Sequence, residues 1–165
     1  MKNPTTNLLI VDSQKLVTDL ITSALNTSDE FVVSSATNLT SAIDILKAAA
    51  SDQFDIILLE INLGKPMTVS EVGHLAKLSA PAKLVLFTDH ADKPFVESCI
   101  QVGAFGFVPK SLSLQAFKCV LSFITAGQVF IPADLYSRTG SVGRPDNSLL
   151  KPCEMDVLEK LSIGM

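Results

Sequence analysis

The chain has no tryptophan, one tyrosine and two histidines among its 165 residues. His74 and His90 have no Cys or His partner at ligand spacing, so a zinc centre is not expected. The three cysteines, Cys99, Cys119 and Cys153, are odd in number and unpatterned, which suits a reducing cytosol and service as small core hydrophobes. No apolar run approaches the roughly 20 residues that cross a bilayer. The polar start, Met1 to Asn7, leads directly into an apolar strand, so neither a signal peptide nor a membrane partner is expected. Positive charge is also scarce: 13 Lys and Arg against 17 Asp and Glu leave a net charge of −4. The chain therefore carries no electrostatic footprint for nucleic acid. No GxGxxG or P-loop follows any strand pattern, and Asp12-Ser13-Gln14-Lys15 has no glycine to admit a phosphate. Nor does a Ser-His-Asp or Cys-His arrangement place a nucleophile at a strand end.

What the chain does have is alternation. Hydrophobic residues make up 47% of it, and short apolar runs alternate five times with segments of helical period. That is the pattern of a parallel α/β sheet with right-handed crossovers, whose central strands are buried on both faces. Strands are expected at residues 7–11, 31–36, 55–59, 83–87 and 105–108. Helices are expected at about 14–26, with Val17, Leu20, Ile21 and Ala24 on one face, and around Leu39, Ile43, Leu46 and Ala50. Three more are expected: one at about 69–78, one after Asp92, and one opening at Ser113 with Leu114, Phe117, Leu121 and Ile124 on one side. The domain so defined covers 1–127. Residues 128–149 begin with the apolar tag Val129-Phe130-Ile131-Pro132, become rich in Ser, Gly, Arg and Pro, and read as a linker. Residues 150–165 regain helical order, with Pro152 in the first turn, Val157, Leu158 and Leu161 as an apolar stripe, and Gly164 as a stop. One short helix cannot bury its own apolar face, so this segment reads as the start of a second domain.

In an open parallel sheet the carboxyl ends of the strands share one edge, and ligands bind in the crevice outside it. Asp12 follows the first expected strand, Glu60 the third, Thr88 the fourth and Lys110 the fifth. Acid, acid, hydroxyl and lysine should therefore meet at one point. The combination suits phosphate, or a group standing in for it.

Several blocks, in order and at matching spacing, carry a resemblance to a known family. They are Leu8-Leu9-Ile10-Val11-Asp12, the stretch 55–63, Phe87-Thr88, and Val102-Gly103-Ala104-Phe105-Gly106-Phe107-Val108-Pro109-Lys110-Ser111. The first 127 residues or so resemble the receiver domain of bacterial two-component response regulators. Gly127-Gln128-Val129-Phe130-Ile131-Pro132 and Leu150-Lys151-Pro152-Cys153-Glu154-Met155-Asp156-Val157-Leu158 are similar to the helix 5 exit and the helix-turn-helix opening of the LuxR-type (NarL/FixJ) subgroup. The resemblance implies a flavodoxin-like, doubly wound five-stranded parallel sheet of order 2-1-3-4-5 with five helices, followed by a linker and one extra C-terminal helix. It also implies an acidic pair and an aspartate that hold Mg²⁺, with that aspartate taking a phosphoryl group from a sensor kinase. Thr88 and Lys110 would bind the phosphoryl oxygens, and Phe107 would be the aromatic switch.

At the chemistry itself the sequence departs from that family. Asp12 fills the first acidic position, but Ser13 stands where the second metal-binding carboxylate belongs, and Glu60 stands at the phosphoacceptor position. Asp89 borders the entry path with a further negative charge, and Gly64 and Thr68 replace the usual proline and glycine of the loop after the third strand. A carboxylate displaced by roughly 1 Å can cost ~10²-fold in rate, and a missing carboxylate weakens Mg²⁺ further. The expectation is a non-enzymatic, cytoplasmic pseudo-receiver with no catalytic residue and no cofactor, Mg²⁺ binding at most weakly at Asp12 and Glu60. It would act by homodimerisation or by contact with a sensor kinase or adaptor protein, and DNA would be reached only through the C-terminal domain. A receiver that still accepts phosphate from a kinase or acetyl phosphate is the alternative. Two readings of Glu60 stay open: it reaches toward Lys110 and Thr88 as a phosphorylated aspartate would, or it belongs to an inert ion cluster.

Overall fold

A computed structural model of the chain describes residues 4–137. The sheet has five strands, β1 (Thr6–Val11), β2 (Phe31–Ala36), β3 (Ile56–Leu59), β4 (Lys83–Phe87) and β5 (Gly106–Val108), in the order β2-β1-β3-β4-β5. Every pairing is parallel. The helices between and after them are α1 (Lys15–Leu25), α2 (Leu39–Ala48), α3 (Val69–Ser79), α4 (Lys93–Gln101) and α5 (Leu114–Thr125), with a short α6 (Asp134–Ser137). Strand order and the five helices α1–α5 are those the sequence predicts, whereas α6 falls in the stretch expected to be a linker.

Both faces of the sheet are covered, which explains why the central strands read as unbroken apolar runs. Leu8, Ile10, Leu58 and Val85 face one core layer with Phe117, Leu121 and Ile124 of α5. Leu9, Val11, Ile57, Leu59 and Leu86 face the other, with Val72 and Leu75 of α3 and Val96 and Cys99 of α4. Residues Leu8 to Val11 and Ile56 to Leu59 are all fully buried. At about 1.5–3 kcal/mol for each buried side chain, these two strands supply much of the apolar drive. Cys99 is a buried thiol, as expected of a small core hydrophobe, and burial pushes its pKa up from 9.0 to about 11.

Helix starts follow their capping chemistry. Asn38, Asp92 and Ser113 each accept a backbone N–H of the first turn of α2, α4 and α5. Thr68 and Glu71 form a reciprocal capping box on α3. Three expectations about apolar stripes need correction. Leu20 on α1 is 61% exposed and Leu114 on α5 is 45% exposed, while Val17 and Ile21 pack inward. Ala50 lies past the end of α2, and Ala42 is that helix's buried residue. Other residues of these stripes face the core: Val17 and Ile21 on α1, and Phe117, Leu121 and Ile124 on α5.

Within the stretch read as a linker, Phe130 and Pro132 are buried and Leu135 is half-buried. Phe130 pairs with Gly106 of β5, and Leu135 packs against the opposite core layer. Residues 138–149 and the helix expected in 150–165 lie outside the described residues.

Candidate functional site

The parallel ladders run one residue past the strands they define. Asp12 donates its backbone N–H to Ala36 (3.0 Å), Glu60 to Val11 (2.9 Å) and Thr88 to Val108 (3.3 Å). Asp12, Glu60 and Thr88 are consequently fixed at one sheet edge, and all three are buried. Lys110 leaves β5 through Pro109 and turns its chain back over that edge.

Its ammonium closes the site. Lys110 Nζ lies 2.6 Å from Asp12 Oδ2 and 2.6 Å from Glu60 Oε2. The other oxygen of each carboxylate is also engaged: Asp12 Oδ1 accepts the Gln14 N–H at 2.8 Å, and Glu60 Oε1 accepts the Asn62 N–H at 3.1 Å. The ammonium stands 5.6 Å from the centre of the Phe87 ring, a cation–π contact. Burial alone would lower the Lys110 pKa. Hydrogen bonds to Asp12 and Glu60, together with their charges, outweigh it and hold the value above normal. A buried pair of this kind is close to neutral for stability overall, since desolvation offsets attraction, but removing one partner is expensive.

Above the cluster opens a cavity of about 460 Å³. Its apolar wall includes Ile61, Pro66, Met67 and Phe95, and its polar lining includes Asp12, Glu60, Asp89, Asp92, His90 and Lys110. Four carboxylates thus face one ammonium, and that ammonium is already doubly paired. The lining carries more negative than positive charge.

The residues predicted from sequence divide into groups. Asp12, Glu60 and Lys110 come together in direct contact, and Thr88 lines the same cavity. Glu60 does not reach Thr88, whose hydroxyl oxygen instead accepts the His90 N–H at 3.4 Å. Ser13 is exposed and is not among the lining residues, whereas Gln14 is. Phe107 is 6% exposed and sits in the core layer under α4, away from the cavity. Gln14 was missed by sequence reading. The signal available was Asp12 two residues earlier, since aspartate commonly turns back to accept such an N–H.

The donor set does not fit Mg²⁺. The two buried carboxylates are spent on Lys110, the second acidic position is an outward-facing serine, and no three His, Cys, Asp or Glu side chains among the described residues are grouped so as to hold a metal ion. A hard cation wants several carboxylate or water oxygens, and here a lysine stands between them.

The model of the response regulator receiver domain matches residues 8–121. The chain belongs to that family: it is a receiver domain of two-component signalling. Among curated relatives, the chain is 27% identical over 130 residues to the virulence-factor transcription regulator BvgA of Bordetella pertussis, covering 76% of this chain and 62% of BvgA. Against the response regulator UvrY of Escherichia coli it is 22% identical over 129 residues, covering 78% of this chain and 58% of UvrY. The chain therefore spans about three-fifths of the length of these relatives. A LuxR family DNA-binding response regulator from Silicibacter pomeroyi superposes with a TM-score of 0.67 at 24% identity, over 78% of this chain and 98% of that one. A response regulator from Burkholderia pseudomallei, solved with a phosphorylated aspartic acid, gives 0.64 at 17% identity, over 84% of this chain and 77% of that one. These structural likenesses establish the shared fold.

Proposed function

We propose that this is a pseudo-receiver, a regulatory domain that works by dimerisation or partner contact with no phosphoryl transfer. The observation that carries the reading is the Lys110 ammonium held at 2.6 Å by both Asp12 and Glu60. A lysine so engaged is not free to neutralise an incoming phosphoryl group, and phosphoryl transfer depends on positioning and charge neutralisation. The glutamate is one methylene longer than the aspartate of the family pattern, and Ser13 supplies no carboxylate for a metal. Because Glu60 leaves Thr88 to His90, it reproduces only part of what a phosphorylated aspartate would contact. The reading is that Glu60 fixes one arrangement of the crevice permanently. The whole protein is read as a cytoplasmic, DNA-binding LuxR-type regulator, with residues 150–165 opening its helix-turn-helix domain.

Two measurements on the full chain test this. The wild type, incubated with acetyl phosphate and Mg²⁺, should show no mass gain of a phosphoryl group; uptake would overturn the proposal in favour of a working phosphorelay receiver. By light scattering the untreated wild type should self-associate more than Glu60→Gln, with beryllofluoride and Mg²⁺ changing neither. A wild type that stays monomeric, or matches Glu60→Gln, removes Glu60 from any role in dimerisation.

A further inference from the structure

The chain beyond α5 does not leave the domain. Gly127, at φ +95°, takes the left-handed position that ends α5. Gln128 donates to the Phe123 carbonyl at 3.3 Å and Gly127 to that of Ile124 at 2.9 Å, the paired bonds of a Schellman cap. That cap reverses the chain toward the outer edge of β5. There Phe130 forms a parallel bridge with Gly106, and Phe130 accepts the Phe107 N–H at 2.8 Å. The Phe130 ring meets Phe123 edge-on at 6.5 Å in the α5 core layer. A few residues on, Leu135 packs into the α4 core layer, after Pro132 accepts its N–H at 3.2 Å. Between Phe130 and Leu135 the chain thus passes round the edge of the sheet from one face to the other.

We infer that residues 128–135 are a strap whose seating on β5 is coupled to the Lys110 cluster. β5 is only three residues long, and it is gripped on one side by β4 and on the other by Phe130. Lys110 lies two residues past its end and is anchored to Asp12 and Glu60. Loss of that anchor frees the end of β5 and with it the Phe107 amide that holds the strap. Release of the strap, in turn, leaves the β5 backbone bonded to β4 on one side only and loosens Lys110. Coupling of this kind is reciprocal. The inference stands whether or not the site accepts phosphate. Gly106 is the residue that admits the strap: a Cβ there would lie 2.7 Å from the Phe130 carbonyl oxygen and 3.2 Å from its nitrogen, with no other element so close.

The test is hydrogen exchange by mass spectrometry on the full chain, with peptides from the central strand β1 reporting global opening, alongside acetylation of Lys110 by an activated ester. Relative to β1, Gly106→Ala should speed exchange across residues 128–135 by about tenfold or more and should raise Lys110 acetylation several-fold, within the usual range of coupling between sites. Lys110→Met should speed exchange across the same stretch. If Gly106→Ala fails to fold, Phe130→Ala serves with the same two readouts. Strap exchange unchanged in Lys110→Met, or a released strap with Lys110 no more reactive, overturns the proposal.

Discussion

The bottom of the crevice and its rim carry the same kinds of charge and treat them in opposite ways. At the bottom, Asp12 and Glu60 are buried and all their oxygens are engaged, by one lysine and two backbone N–H groups. At the rim, Asp89, His90 and Asp92 are exposed, and Asp92 spends its side chain on capping α4. Burial makes the difference. A carboxylate out of water must be matched or it destabilises the fold, while one at the surface is solvated and nearly neutral. The bottom is therefore part of the structure, and the rim decides only what approaches it.

The largest expected effect comes from the bottom. Lys110→Met leaves two buried carboxylates facing each other, and should lower unfolding free energy by about 3–5 kcal/mol in urea titrations. A loss below about 1 kcal/mol would mean that the cluster is far wetter than its burial indicates. Glu60→Gln keeps volume and leaves Lys110 with Asp12, so a smaller loss of about 1–3 kcal/mol is expected by the same measurement.

Alkaline titration separates the regions in another way. The raised Lys110 pKa means that its contribution is whole below the unfolded value near 10.4 and fades as pH rises through the higher folded value. Cys99 behaves alike: the unfolded thiol ionises near 9.0 and the buried one near 11, so its contribution is lost across that interval. Thermal melts of wild type and Cys99→Ala should diverge below pH 9 and converge above it. The smallest effect belongs to the rim. Asp89→Asn should change stability by no more than about 0.5 kcal/mol, while weakening the repulsion of inorganic phosphate measurable by titration.

Much of this was legible in the sequence, for identifiable reasons. Leu8 to Val11, Ile56 to Leu59 and Leu84 to Phe87 are continuous apolar runs because both faces of the sheet are covered, and each run points to the polar residue that follows it. Proximity of Asp12, Glu60, Thr88 and Lys110 followed from topology alone. Which of them bond did not, because that depends on side-chain reach: Glu60 turns to Lys110 and Asn62, and Thr88 turns to His90. The packed course of residues 128–135 was hidden for a different reason. Phe130 and Leu135 serve opposite faces of the sheet, so their spacing follows neither the helical nor the strand period.

The sheet's two flanks are not equally safe from other chains. Phe130 already occupies the flank beside β5, whereas β2, among the described residues, pairs only with β1 and leaves Val32 52% exposed. An unpaired flank of this sort is a template on which a misfolded copy can grow. If this protein forms fibres under stress, growth should begin at Phe31–Ala36, and a lysine in place of Val32 should slow it.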